Sequence, residues 1–364
     1  MTGLEITIVE RMLHFKHPAG TSRGVLTEKP SFFVVARDLE EDGRIGIGEC
    51  SLIPGLSPES AARARMELKK LAASGTLDPK AMSLQYPAVK FAAETALIDL
   101  LNEGERTLFP SGFTEGQAIP INGLIWMGSP EFMIEQACAL IERGFTTLKM
   151  KVGALDFEKE CACLEAIRSV APADNITLRL DANGGLDDAD PAVTLQKLER
   201  LARFDIHSVE QPIRPGQWKK MQLVCQGSPI PIALDEELIG VHDTALRRNL
   251  LHLVKPDYII LKPSLIGGFV EANHWIDLAA EVDAAWWATS ALESNVGLNA
   301  IAQWAADAIS EDPMPLPQGL GTGSLFTDNI PSPLVVSGGT LRMDHPAAQA
   351  NGKLHTWDLS SILP

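Results

Sequence analysis

From residue 119 onward the sequence repeats one pattern that few folds can satisfy: a short apolar run, then an amphipathic helical stretch. The strand-like runs fall at 119–126, 146–152, 176–181, 207–212, 231–235, 258–262 and 286–290. Each strand and its helix occupy about 25 to 30 residues, the length a parallel crossover needs. Strands alternating with helices in this way build a parallel sheet, here most simply a closed TIM-like (β/α)7β barrel of the α/β class, over 117–323. An open doubly wound sheet is disfavoured. No Gly-x-Gly-x-x-Gly follows the first strand, and nearly every strand ends in a polar residue.

The residues before the barrel read differently. Segments 4–15, 31–37 and 45–49 alternate apolar and polar side chains around the turn-rich Glu41-Asp42-Gly43, which predicts a small antiparallel sheet. Helical spacing recurs over 58–73 and 86–101, so 1–116 forms an α+β unit. Two loops, 17–24 and 50–57, are rich in Gly, Ser and Pro, and serve either as connectors or as lids over a site. After residue 320 the helical pattern stops. Segments 334–336 and 340–343 look like strands that rejoin the N-terminal sheet, making 324–364 a C-terminal return to the first unit.

Charge narrows the partners. The 364 residues hold 31 Lys+Arg against 47 Asp+Glu, for a formal net charge of −16 with no basic run, which argues against nucleic acid. An anionic substrate would need locally concentrated lysine or arginine. Five scattered cysteines without metal-ligand spacing suit a reduced, cytoplasmic protein. Residues 1–15 lack a basic start followed by an apolar run, and no apolar stretch is long enough for a bilayer, so neither secretion nor a membrane partner is expected. A homo-oligomer is left open.

In the second barrel strand Leu148, Met150 and Val152 alternate with Lys149 and Lys151, so both lysines share one face. Like-charge crowding and partial burial move an amine toward use as a base near neutral pH, whereas an exposed edge strand would leave both solvated. Later strands end in Asp181, Glu210, Asp235 and Lys262. Any one of these acids alone reads as a helix cap. In a barrel, however, the C-terminal strand ends converge on one mouth, and three neighbouring carboxylates there call for a hard divalent cation. Mg²⁺ suits such an oxygen set better than Zn²⁺, which favours His and Cys.

This constellation resembles the enolase superfamily and, within it, the muconate-lactonising branch. The resemblance covers essentially the whole chain, with an N-terminal capping domain completed by the C-terminus. It implies Mg²⁺ (Mn²⁺ substituting) on Asp181, Glu210 and Asp235, with catalytic Lys151 and Lys262 on opposite sides and Lys149 behind Lys151. Segments 261–268, 290–298 and 317–323 are most similar to the o-succinylbenzoate synthases of that branch. Such an enzyme is a lyase of menaquinone biosynthesis. It dehydrates the dianionic 2-succinyl-6-hydroxy-2,4-cyclohexadiene-1-carboxylate to 2-succinylbenzoate through a metal-stabilised enediolate. The implied substrate contacts are Arg23 and Leu56 in the capping loops and Asn183, Ser264, Ser290, Glu293, Gly319 and Leu320 in the barrel, with backbone N–H groups of the Gly-rich turn near Gly319 free for a substrate carboxylate. N-acylamino acid racemases of the branch use the same two lysines. Dipeptide epimerases bring an Asp-x-Asp near the last strand, and 318–324 contains no carboxylate. A Schiff-base aldolase or a non-catalytic anion- or metal-binding barrel would leave the carboxylate triad and the opposed lysines without a purpose.

Overall fold

The computed structural model describes residues 1–21, 24–40, 43–344 and 355–363. The expected 41–43 turn falls partly, and Arg23 wholly, outside the described residues.

Strands β1 (Leu4–Thr21), β2 (Gly24–Asp38) and β3 (Ile45–Ser51) form an antiparallel meander. Alternation along β2 sends Phe32, Val34 and Ala36 toward helices α1 (Ala61–Ser74) and α2 (Pro87–Leu101). Phe33 points the other way, into a cluster with Ile47, Val296, Ile330 and Ile362, residues of the barrel and the C-terminal segment. The sheet is therefore covered on both faces. Contact with α2 is close enough that a Cβ on Gly48 would lie 1.9 Å from the Ala92 carbonyl oxygen. The first two strands run further than the expected 4–15 and 31–37. After a register shift between His14 and Ala19, residues Ala19–Thr21 pair with Gly24–Leu26, so these described residues of the expected loop belong to the strands.

The chain then passes through β4 (Ile119–Pro120) into seven parallel strands with intervening helices: β5 (Gly123–Ile125), α3 (Pro130–Glu142), β6 (Thr147–Lys151), α4 (Phe157–Val170), β7 (Thr177–Asp181), α5 (Pro191–Leu201) and β8 (Ile206–Glu210), followed by α6 (Trp218–Gly227), β9 (Ile232–Leu234), α7 (Thr244–Val254), β10 (Tyr258–Leu261), α8 (Pro263–Ile266), α9 (Phe269–Ala280), β11 (Ala285–Ala288) and α10 (Asn295–Ala308). Sheet order follows chain order from β5 to β11. The ends meet through Gln318 and Gly319. Gln318 N–H donates to Pro120 O (2.8 Å) and Gly319 N–H to Ala288 O (2.7 Å), while their carbonyls accept from Asn122 and Ser290. This two-residue eighth strand closes a (β/α)7β barrel around a core of Leu, Ile and Val from strands and helices.

One expectation is corrected. Strands β12 (Leu334–Ser337) and β13 (Thr340–Met343) do not rejoin the N-terminal sheet; β13 pairs with β4 at the entrance to the barrel. Leu341 and Met343 bury in the barrel core beside Ile119 and Phe145, which is where their apolar faces find partners. The C-terminal segment reaches the capping sheet earlier, where Phe326 bridges Phe15 antiparallel, with Lys16 N–H donating to Leu325 O (2.8 Å) and Thr327 N–H to His14 O (2.9 Å), and then through Trp357, Leu359 and Ile362 in the cluster around Phe33.

Candidate active site

Register sets the site. Lys151 pairs with Asp181, Asp181 with Glu210, and Glu210 with Ala233, so Asp235, two residues further on, points inward with them. One layer below, the buried Arg179 stacks 3.9 Å from the Trp287 ring and donates to Pro317 O at 2.7 Å, forming part of the floor. Above the floor Lys149 bridges two acids, with Nζ 3.0 Å from Asp181 Oδ2 and 2.9 Å from Glu210 Oε2. The Lys151 Nζ lies 3.0 Å from Asp181 Oδ2 and donates to Asn183 Oδ1 at 2.6 Å. Across the mouth the Lys262 ammonium donates to Asp235.

Lys149, Lys262 and the three acids are buried and Lys151 is half-buried, so three ammonium groups and three carboxylates act on one another at close range. Burial together with the Asp181 anion pushes the Glu210 carboxyl up to about 7, against the pull of Lys149. Asp181 is held below the usual carboxylate range, because Lys149, Lys151 and Lys262 outweigh its burial. Lys149 corrects the expectation that crowding lowers a lysine here. Burial opposes its charge, but Asp181, Glu210 and Asp235 outweigh both burial and any neighbouring ammonium, and it is raised.

The donor set fits a divalent cation in its chemistry. Three carboxylates from adjacent strands face one space, and Asp181 Oδ1 is buried without a partner. Among the described residues no three His, Cys, Asp or Glu side chains are gathered into one coordination shell. Lys149 draws Asp181 and Glu210 together while Lys262 draws Asp235 away, so the ammonium groups hold the places of a cation.

A cavity of about 540 Å³ opens onto Lys149, Lys151, Asp181, Asn183 and Lys262. The capping domain contributes Ile53, Pro54 and Leu56, so the 50–57 loop covers the mouth. Ser290 and Gly319 also line the cavity. Three other residues expected to touch substrate lie elsewhere. Leu320 is fully buried in the barrel core. Ser264 and Glu293 are likewise buried and bond to one another. Of the Gly-rich turn, the Gln318 and Gly319 N–H groups close the barrel, and Gly321 and Gly323 line the cavity beyond them. Sequence reading missed Glu236. Strand alternation would turn it outward from Asp235, but the strand ends at Leu234, and a tight 3₁₀ turn over Glu236–Leu238 returns it to the cavity. There its Oε1 accepts from Asn183 at 3.0 Å. The Asp-Glu pair at a strand end was the available signal.

Residues 133–347 match the family described as enolase C-terminal domain-like. The chain is 46% identical to the o-succinylbenzoate synthase of Desulfotalea psychrophila, over 94% of this chain and 99% of that one. The chain belongs to the o-succinylbenzoate synthase family of enolase-like proteins. The crystal structure of MenC from Desulfotalea psychrophila superposes with a TM-score of 0.81 at 42% identity, covering 94% of this chain and all of the other. A dipeptide epimerase from Cytophaga hutchinsonii, crystallised with Mg and the dipeptide D-Ala-L-Val, superposes with a TM-score of 0.78 at 25% identity over 93% of each chain. The capped barrel is thus shared by family members with different reactions, and the side chains at the mouth distinguish them.

Proposed function

We propose that this protein is an o-succinylbenzoate synthase, a lyase that removes water from 2-succinyl-6-hydroxy-2,4-cyclohexadiene-1-carboxylate to give 2-succinylbenzoate in menaquinone synthesis in the cytoplasm. The observation that carries the reading is the relative of that activity, 46% identical along nearly the full length of both chains. The chemistry of the mouth supports it. Asp181, Glu210 and Asp235 are the residues to hold a divalent cation, Mg²⁺ by their all-oxygen character. When bound, that cation supplies positive charge to the substrate carboxylate.

Lys151 removes the proton α to that carboxylate. Its amine is aimed by Asn183, which accepts from it at 2.6 Å and is itself fixed by Glu236. The electron pair freed from the C–H bond forms the new ring double bond as the C–O bond breaks, and the proton carried by Lys151 leaves with the hydroxyl as water. Lys262, raised by Asp235, Glu210 and Glu236 against the effect of burial, stays cationic and faces the charge that develops on the ring. Lys149 holds Asp181 and Glu210 in register. Leu56 closes the mouth from the capping domain, and Arg23 is the residue assigned to the succinyl carboxylate.

Incubation with the cyclohexadiene substrate and Mg²⁺ should raise the aromatic absorbance of 2-succinylbenzoate. EDTA should abolish it, and Mg²⁺ or Mn²⁺ restore it. Full turnover in metal-free protein would remove the basis for assigning the carboxylates. A racemase reading has one observation in its favour: Lys151 on β6 and Lys262 after β10 are separated by three strands and approach from opposite sides. Racemisation of an N-acylamino acid without formation of 2-succinylbenzoate would select it.

A further inference from the structure

A second buried polar cluster lies where the capping sheet meets the barrel, and the reaction outlined above makes no use of it. Glu49 on β3 reaches the first turn of barrel helix α10. One carboxylate oxygen accepts from Ser294 N–H at 2.9 Å and from Ser31 Oγ at 2.6 Å; the other accepts from Ser294 Oγ at 2.5 Å and Gly297 N–H at 2.9 Å. Glu293 lies alongside. It accepts from Ser290 Oγ at 2.7 Å and Ser264 Oγ at 2.5 Å. Lys29 on β2 donates to Ser51 Oγ, sits 5.8 Å from the Phe326 ring centroid, and acts electrostatically on both glutamates. All three charged residues are 0% exposed. Gly297 makes room for them, since a Cβ there would fall 2.7 Å from the Glu293 side chain and 3.0 Å from Glu49 Oε2.

The cluster is tied to the cavity by sequence neighbours. Ser290, Ala291, Leu292 and Asn295 line it, and Ser264 is two residues beyond Lys262. Leu292 takes a left-handed backbone conformation at φ 59°, which a branched side chain adopts only when its surroundings impose it. Here Ser290 Oγ accepts from Leu292 N–H at 3.0 Å while donating to Glu293. Glu293 therefore clamps the ends of the sixth and seventh barrel strands together, and Glu49 clamps the same loop to the capping domain.

We propose that Lys29, Glu49 and Glu293 form a positioning device that fixes the loop 290–295, and through Ser264 the segment after Lys262, against the capping sheet. Its kinetic consequence relies on the dehydratase reading, but its structural consequence does not. Removing one acceptor shared by two hydroxyls forfeits contacts on both strand ends at once.

The test is amide hydrogen exchange on the full-length protein with Glu293→Ala, Glu293→Gln and Lys29→Met, paired with turnover and Mg²⁺ binding. Glu293→Ala should speed exchange about tenfold in peptides covering 263–266 and 289–297 while leaving α4 and α5 unchanged. It should also lower kcat by about tenfold with Mg²⁺ affinity retained, and Glu293→Gln, whose partners are rotatable hydroxyls, should recover most of both losses. Lys29 lies on the capping sheet and, among the described residues, makes no hydrogen bond to the loop, yet Lys29→Met should loosen 289–297. Unchanged exchange at 289–297 in Lys29→Met, or acceleration spread evenly through the chain, would overturn the proposal. If the wild-type protein forms no 2-succinylbenzoate, the functional reading fails while the exchange result still decides the positioning role.

Discussion

Two buried charge clusters in this molecule are built on opposite principles. At the seam between the capping domain and the barrel, Glu271 on α9 faces two cations, with one oxygen 2.9 Å from Lys90 Nζ and the other 2.7 Å from Arg247 Nη1. Hydrogen bonds from both hold the Glu271 carboxyl below its ordinary range although burial opposes them. Nearby, Glu94 accepts from the first backbone N–H groups of α9, Phe269 at 2.6 Å and Val270 at 3.2 Å. At the barrel mouth burial and the neighbouring acids push Glu210 and Asp235 up, one oxygen of Asp181 has no partner, and lysines bend onto the rest. A carboxylate matched by its own cations holds two elements together. Three carboxylates packed this closely, with one oxygen left unpaired, are costly to the fold and suit a ligand that brings further positive charge.

The largest difference should appear on deleting Glu271. Glu271→Ala strands two buried cations and should destabilise the protein by about 3–5 kcal/mol, measured by denaturant unfolding, with turnover per folded molecule nearly unchanged. An equal loss of kcat would mean that the seam also shapes the site.

Glu59 lies between the two cases. It is buried and accepts from Ala88 and Val89 N–H at the start of α2, yet its Oε2 has no partner. Burial outweighs those bonds and pushes its carboxyl up to about 7 from 4.5. A carboxyl raised in the folded state favours the protonated form, so its contribution is full below pH 4.5 and is lost as pH rises through 7. The stability difference between wild type and Glu59→Gln should therefore shift against wild type by at most about 3 kcal/mol between pH 4.5 and 8. A flat difference would show that the two backbone donors suffice.

The smallest effect on stability should come from Glu210→Gln. Burial and the Asp181 anion already push this carboxyl up to about 7, so neutralising it should leave the metal-free melting temperature unchanged or raise it by about 2–4 °C while abolishing turnover. A marked loss of stability would place Glu210 with Glu271 among the architectural pairs.

The barrel was legible because its evidence is repeated. Seven strand-helix units each carry the signal, and the charged side chain at a strand end is visible before its neighbours are known. The three carboxylates and three lysines of the mouth could be named for the same reason. What escaped depended on partners distant in sequence. Nothing local says that Leu341 and Met343 bury beside Ile119 rather than with β1–β3, or that Ser264 and Glu293 are occupied with one another. Glu236 was hidden because a 3₁₀ turn breaks the alternation that would have pointed it outward. Lys149 was read for its lysine neighbour, whereas the acids of the next three strands set its charge.

The most direct measurement is 2-succinylbenzoate formation by the Mg²⁺-loaded wild type, Lys151→Ala and Lys262→Ala, followed alongside exchange of the α-proton with D₂O in a non-eliminating N-acylamino acid. Both variants should lose product formation, but only Lys151→Ala should lose exchange from the face that Lys151 serves. Product formation that survives in Lys151→Ala and disappears in Lys262→Ala would put the base on the wrong side of the barrel.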